Sequence, residues 1–204
     1  MYERVHAAFL ALLVKTDADM HQLVERQGPL PLPAPRPPFE ALVRTVVGQQ
    51  LSVKAASTIS GRLTSVCDGQ LEPSRIQALS METLREAGLS QSKADCVLRV
   101  ADMAGPDGLH LERLTQTPSS EWRTELLQIK GLGPWSCDMF GMFGLGDLDV
   151  FSAGDLGLRN AMVTRLGMCA NEKPAAFELR ADRWKPYRTV ASLHLWKSLD
   201  NQPK

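Results

Sequence analysis

Two closely spaced glycines and a downstream carboxylate are the residues of this 204-residue chain best suited to chemistry on a phosphate-linked strand. Gly131 and Gly133 permit a tight turn between two helices and leave the N–H groups of the second helix open to an anion. Lys130 adds a positive charge, and Pro134 suits a first helical turn, where its missing N–H costs nothing. Asp155 supplies a carboxylate that can act on the strand so held. The hairpin alone is equally typical of an ordinary connection between two helices.

Helices must position these residues, because almost every periodic segment of the chain predicts one. Glycines and prolines separate the segments, and no run of alternating β-branched residues is present, so we expect an all-α fold with little or no sheet. The chain is long enough for one domain or two small lobes. We expect a compact two-lobed helical globule with a helix–hairpin–helix motif at about 118–145. The predicted helices lie near residues 2–15, 17–27, 38–49, 52–66, 80–88, 91–104, 118–129, 134–144, 155–166, 174–182 and 186–199.

The overall composition is that of an ordinary globular protein, with 44% apolar and 23% charged residues. Lysine plus arginine equals aspartate plus glutamate, at 23 each. A nucleic-acid-binding domain often carries a basic excess, so this balance argues weakly against such a function. A local basic face remains compatible with it, since binding depends on the local patch.

The cysteines and the N-terminus predict an intracellular protein without a membrane segment. The apolar run at 7–14 resembles part of a signal peptide, but acidic residues flank it, no small-residue cleavage site follows, and it is too short to cross a bilayer. A buried first helix is the better interpretation. The cysteines show no CxxC pair and no spacing typical of zinc or an iron–sulfur cluster, and they are Cys67, Cys96, Cys137 and Cys169.

A proline-rich segment at residues 29–38 has two interpretations. It could be a polyproline ligand for a partner domain, or a stiff crossover between helices. The crossover is the favoured one.

Four motifs in order resemble the HhH-GPD superfamily of DNA glycosylases. They lie at residues 47–56, 129–136, 149–158 and, in two stretches, 183–188 and 194–196, and the resemblance covers roughly residues 38–199. It is closest to the monofunctional alkylbase enzymes of the 3-methyladenine DNA glycosylase II type. Two departures stand out: Ser152, Ala153 and Gly154 occupy a stretch where the family usually has a proline, and the chain lacks room for the N-terminal β domain of the bacterial relative.

The resemblance implies a monofunctional glycosylase that flips alkylated bases, of the 3-methyladenine and 7-methylguanine type, out of double-stranded DNA and hydrolyses them in base-excision repair. Asp155 then stabilises the positive charge that develops on the sugar, and aligns or deprotonates the attacking water. An alkylated purine is already cationic, so it leaves without a strong general acid. Aspartate is also a frequent helix N-cap, a role compatible with catalysis.

Tryptophans define the rest of the implied site. Trp135 occupies the position where bifunctional relatives carry a lysine nucleophile, so no lyase activity is expected. A flipped cationic base is attracted to aromatic faces, and the resemblance implies that Trp196 is one such wall. Both could instead be core aromatics: for Trp196 the pocket role is favoured, whereas Trp135 is either a second wall or a core aromatic. Trp184 and Tyr187 are expected to be packing residues.

The resemblance also implies the DNA contacts. Gln50 is the residue expected to fill the gap left by the flipped base, although it could simply be a polar helix end. Ser52, Lys54 and Arg62 are expected either to contact phosphates or to be solvated. Phosphate binding at the hairpin is expected to involve Lys130, Gly131 and Gly133.

A monovalent cation often occupies the hairpin of this family. Its ligands here are implied to be the backbone carbonyls of Leu127, Ile129 and Leu132, holding Na⁺ or K⁺. No other cofactor and no iron–sulfur cluster is expected. The family further implies a monomer, located in the cytoplasm and nucleoid of a bacterium or in the nucleus of a eukaryote.

Three other functions are compatible with the sequence. The chain could be a non-catalytic helix–hairpin–helix DNA-binding module, or a helical scaffold that uses the proline-rich segment. Among enzymes, a glycosylase for deaminated or oxidised bases is the nearest alternative.

Overall fold

A computed structural model describes residues 2–105 and 111–200, and within these ranges the protein is helical without a β-strand. The all-α prediction is therefore confirmed. The helices are α1 (Tyr2–Thr16), α2 (Ala18–Gln27), α3 (Pro38–Gly48), α4 (Val53–Val66), α5 (Pro73–Gln77), α6 (Met81–Glu86), α7 (Gln91–Met103), α8 (Ser119–Leu127), α9 (Pro134–Phe143), α10 (Leu156–Leu166), α11 (Pro174–Ala181) and α12 (Arg188–Asp200), with 3-10 helices at Leu111–Gln116 and Asp182–Trp184.

The chain divides into two compact units, each with its own apolar core. The terminal unit consists of Met1–Ala34 and Gly146–Lys204, and the central unit of Pro35–Leu145. The proline-rich segment connects α2 to α3 without helical structure and crosses from the first unit to the second, as expected of a crossover.

Helix α3 is the centre of the central unit's core. Most of its residues are apolar, and Leu42, Val43 and Val46 are fully buried, as in a helix surrounded by other helices. It packs against α4, α7 and α9. The ring centroids of Trp122 and Phe140 lie 5.5 Å apart, edge to face, and join α8 to α9. These contacts hold the two helices that flank the glycine hairpin.

A buried carboxylate ties together the helices of the terminal unit. Asp17 accepts hydrogen bonds from the backbone N–H of Met20 (3.1 Å), the guanidinium of Arg180 (2.9 and 3.0 Å) and the indole N–H of Trp184 (3.1 Å). Burial by itself raises the pKa of Asp17, but these donors outweigh it and the pKa lies below its usual value. Trp184 is thus a packing residue, as expected.

The sequence missed the shortest elements and overstated the burial of the first helix. Helix α5 is a single turn, too short to show a helical period. Helix α1 buries only one face, through Phe9 and Leu13, while Val14 is 68% exposed. No described helix is both long enough and apolar enough to span a membrane.

A second buried titratable group of the terminal unit is His194 in α12. Its Nδ1 lies 2.7 Å from the amide oxygen of Gln27, whose Nε2 donates to the carbonyl of His194 (3.1 Å). The imidazole therefore carries its proton on Nδ1, and its buried Nε2 has no hydrogen-bond partner among the described residues. Burial, with the nearby charges of His6 and Lys197, lowers the pKa of His194 to about 3.

This burial predicts a loss of stability in acid. The pKa of His194 in the folded protein lies below the roughly 6.5 of an unfolded chain, so the unfolded state binds more protons between these values. The stabilisation is complete above about pH 6.5 and is lost progressively as the pH falls towards the folded-state value. We expect the free energy of unfolding, measured in urea, to fall less steeply between neutral and acidic pH in His194→Gln than in the wild type. Equal slopes in the two proteins would contradict this assignment.

Candidate active site

Asp155 caps the first turn of α10. Its Oδ1 accepts the backbone N–H of Leu158 at 2.8 Å, and its own N–H donates to the carbonyl of Ser152 at 3.0 Å. The carboxylate therefore lies at the positive end of the helix dipole, which favours a negative charge. The structure shows the N-cap role considered from the sequence, and this role leaves the carboxylate able to act on a substrate.

Trp196 of α12 contacts this carboxylate directly. Its indole Nε1 donates to Oδ1 of Asp155 at 3.1 Å, and both side chains are half-buried. Oδ1 thus accepts two N–H groups, one from its own helix and one from α12. The structure brings together the residue expected to act on the sugar and the tryptophan expected to line the base pocket.

The loop that leads to Asp155 is fastened to the start of α12. Arg188 donates from Nε and Nη2 to the two carboxylate oxygens of Asp149, at 2.8 and 3.1 Å, and from Nη2 to its carbonyl at 2.9 Å. Thr189 Oγ1 accepts the N–H of Val150 at 3.0 Å. Such a two-pronged guanidinium–carboxylate pair has a fixed geometry. The sequence had not indicated Thr189.

The stretch that replaces the family's usual proline forms a definite turn. Ser152 is fully buried, and the hydrogen bond from Asp155 closes the turn over Ala153 and Gly154. The loop before the acid is therefore ordered by backbone hydrogen bonding in the absence of a proline.

The two hairpin glycines of the central unit have different reasons to be glycine. Gly131 has φ 109°, and a Cβ there would lie 2.6 Å from Sγ of Cys96. Gly133 has an ordinary φ of −125° and a Cβ there would meet nothing within 4 Å. It precedes α9 at the N-cap position without a side-chain cap. The fold requires Gly131, whereas Gly133 leaves room for a ligand.

Of the three carbonyls expected to hold a cation, one accepts a backbone hydrogen bond within the hairpin. The carbonyl of Ile129 accepts the N–H of Leu132 at 3.0 Å. Within the part of the chain that the structure describes, no backbone N–H donates to the carbonyls of Leu127 and Leu132 outside the helices.

Gln50 lies in a strained turn that other residues brace. It is exposed and has φ 56°, which is uncommon for a side chain other than glycine. At the end of α3, Lys93 Nζ donates to the carbonyl of Val47 at 2.8 Å and to that of Gln49 at 2.7 Å. Gln49 Nε2 in turn donates to the carbonyl of Gly131 (2.9 Å) and to Oγ of Ser136 (3.1 Å). These bracing residues were not indicated by the sequence, because the contacts are long-range.

The remaining expected DNA contacts lie on exposed parts of the central unit. Ser52 Oγ already accepts the N–H of Ala55 at 3.3 Å as the N-cap of α4. Lys54, Arg62 and Lys130 are exposed. Trp135, the second residue of α9, is half-buried and belongs to the central unit, unlike Asp155 and Trp196.

The buried cysteines do not offer a reactive thiolate. Burial is the main cause that raises the pKa of Cys96, and it raises the pKa of Cys137 to about 11. No group of three or more histidine, cysteine, aspartate or glutamate side chains that could hold a metal occurs in residues 2–105 and 111–200.

This helical fold, with a glycine hairpin and a capped aspartate downstream of it, defines a class of DNA repair protein. The chain belongs to the HhH-GPD superfamily of base excision DNA repair proteins, whose family model matches residues 43–188.

Individual relatives agree with this membership. The chain is 30% identical over 195 residues to the alkylbase DNA glycosidase-like protein mag2 of Schizosaccharomyces pombe, covering 91% of this chain and 90% of that protein. It is 34% identical over 210 residues to a probable bifunctional transcriptional activator/DNA repair enzyme AlkA of Mycobacterium tuberculosis, covering 93% of this chain but only 42% of that protein. The structure of S. pombe 3-methyladenine DNA glycosylase (Mag1) in complex with abasic DNA superimposes with a TM-score of 0.88 at 29% identity, covering 97% of this chain and all of that one (100%).

Proposed function

We propose that this protein is a monofunctional DNA glycosylase that hydrolyses alkylated bases, of the 3-methyladenine and 7-methylguanine type, from double-stranded DNA. The observation that carries the proposal is the Asp155 carboxylate, held at Oδ1 by the N–H groups of Leu158 and Trp196. The names of the fungal relatives, an alkylbase glycosidase-like protein and a 3-methyladenine glycosylase, support the substrate class.

The chemistry requires one carboxylate in this setting. As the bond between base and sugar breaks, its electron pair goes to the cationic alkylated base, which leaves neutral, and positive charge develops at C1′. The Asp155 carboxylate stabilises that charge electrostatically. Water then adds its oxygen to C1′ and gives up a proton to the carboxylate or to solvent. The products are a free base and an abasic sugar.

The target base must leave the stack to meet the carboxylate, so the protein must also hold the strand. We assign this to the central unit: the N-terminus of α9 at Gly133 and the charge of Lys130 bind a phosphate. The exposed side chain of Gln50 fills the gap left by the base, and Lys54 contacts the backbone nearby. Phosphate contacts read no sequence, which suits an enzyme that searches for damage anywhere in DNA.

A Na⁺ or K⁺ ion would be held by the carbonyls of Leu127, Ile129 and Leu132. The two carbonyls without a backbone donor support this assignment. The ion would supply positive charge beside the bound phosphate.

We further propose that the protein does not cut the strand. Trp135 stands where bifunctional relatives carry their lysine, and an indole cannot form a Schiff base with the abasic sugar. Incubation of the enzyme with a duplex containing an abasic site and borohydride is expected to give no covalent protein–DNA adduct. A trapped adduct would overturn this part of the proposal.

The substrate class is tested by release assays on duplexes that carry one modified base each. We expect release of 3-methyladenine and 7-methylguanine, and little or no release of uracil or 8-oxoguanine. Release of only uracil or 8-oxoguanine would place the enzyme in a different glycosylase class. DNA binding without any release would favour the non-catalytic module.

A further inference from the structure

Gly157 is the second residue of α10, and neighbouring side chains, not its backbone conformation, limit the space for a side chain there. Its φ is not in the left-handed region. A Cβ there would lie 3.1 Å from Oδ1 of Asp155 and 3.3 Å from both Cδ1 and Nε1 of Trp196. Both distances are tighter than ordinary van der Waals contact, so either side chain would have to move by a few tenths of an ångström. Because Gly157 has no side chain, the indole of Trp196 can approach the carboxylate of Asp155 closely enough to form the hydrogen bond.

The contact that this space permits fixes the carboxylate. The N–H of Leu158 at 2.8 Å comes from the helix that Asp155 caps, and the indole N–H of Trp196 at 3.1 Å comes from α12. Two donors from different elements on one oxygen restrict both the position of that oxygen and the rotation of the carboxylate. Functional groups are held most accurately when neighbouring hydrogen bonds lock their rotamers in this way.

We propose that Gly157 and the indole N–H of Trp196 form a positioning pair for the Asp155 carboxylate. Trp196 then acts on the chemical step through Asp155, and its role is more than that of an aromatic wall for the base. The proposal rests on the proposed glycosylase function, because the carboxylate matters only if it faces a developing charge. A displacement of a few tenths of an ångström weakens that interaction without removing any charged group.

The two roles of Trp196 predict different behaviour on substitution. Trp196→Phe keeps an aromatic face and removes the indole N–H, so a simple stacking wall survives it and a positioning residue does not. Gly157→Ala keeps every hydrogen-bonding group and the tryptophan itself, and alanine is the better helix former. A slow Gly157→Ala enzyme with an unchanged or higher melting temperature therefore reports on geometry rather than folding.

The experiment measures single-turnover release of 7-methylguanine from a defined duplex, together with affinity for a duplex containing a stable abasic-site analogue. We expect Gly157→Ala and Trp196→Phe each to slow release by roughly tenfold or more, with affinity unchanged. The double variant should be little slower than the slower single variant, because both changes break one contact. Gly61→Ala is the matched control, since Gly61 is an exposed glycine of α4 whose added Cβ meets nothing within 4 Å. A wild-type rate in either Gly157→Ala or Trp196→Phe overturns the proposal.

A spectroscopic readout separates this proposal from the proposed function. The indole N–H resonance of Trp196, identified by its absence in Trp196→Phe, should shift in Gly157→Ala and remain in place in Gly61→Ala. If the wild type releases no base from any substrate, the proposed function fails, and the catalytic role of the pair fails with it whatever the resonance does. If the wild type is active and the resonance does not shift in Gly157→Ala, the positioning pair alone is wrong.

Discussion

Asp155→Asn is expected to slow single-turnover release of 7-methylguanine by at least on the order of 10²-fold, the size of effect typical of lost transition-state electrostatics. Asparagine keeps an oxygen that can accept the N–H groups of Leu158 and Trp196, and it is as good an N-cap as aspartate. Only the negative charge is lost. The melting temperature and the affinity for DNA with an abasic site should therefore change little.

Two further variants isolate the charge from the cap. Asp155→Ala should lose both catalysis and about 1 kcal/mol of stability, because the N-cap acceptor is gone. Asp147→Asn is the matched control: Asp147 lies in the loop that leads to Asp155, and its Oδ1 accepts the N–H of Asp149 at 2.8 Å. It should release base at the wild-type rate. If Asp155→Asn keeps that rate, Asp155 is a structural cap and the catalytic assignment is wrong.

Local features of the fold were predictable from the sequence because local residues determine them. The start of α10 follows from an aspartate placed directly before a helical period, and the start of α9 from Pro134 at its first position. Five-residue α5 was missed, since one turn shows no period.

The contacts that build the site were not predictable in the same way. Asp155 and Trp196 are 41 residues apart in the sequence, and the packing of α10 against α12 decides whether they touch. The family resemblance indicated both residues but gave Trp196 a stacking role and left its indole N–H unassigned. Likewise, the sequence explained Gly131 by turn geometry alone, whereas Cys96 on another helix also excludes a side chain there.

The two hairpin glycines are expected to respond differently to substitution by alanine, one in stability and the other in DNA affinity. Gly131→Ala should destabilise the protein by roughly 1–3 kcal/mol or more, because it adds backbone strain at φ 109° and places a Cβ 2.6 Å from Sγ of Cys96. Shortening the neighbour in Gly131→Ala/Cys96→Ala should recover the part due to Sγ and leave the part due to φ and to the Cβ of residue 96, which lies 2.9 Å from the added Cβ. Thermal or urea unfolding of the single and double variants measures both contributions to the loss of stability.

Gly133→Ala should do the opposite: it should leave stability unchanged and weaken DNA binding. Any residue can adopt its φ of −125°, and an added Cβ would meet no atom within 4 Å, so alanine fits the fold at this position. The new methyl group would instead occupy the space through which a phosphate reaches the N–H groups of α9. We expect affinity for undamaged duplex DNA at low salt, measured by fluorescence anisotropy, to fall by about tenfold, which corresponds to about 1.4 kcal/mol.

Gly61→Ala again controls for the loss of a glycine in the same unit, and it should bind as the wild type does. If Gly133→Ala also binds like the wild type, the hairpin does not grip the strand through this helix end. If it unfolds as readily as Gly131→Ala, Gly133 has a structural role that its open surroundings do not show. Because stability and affinity move separately in the two variants, the pair distinguishes a glycine kept for the fold from one kept for the ligand.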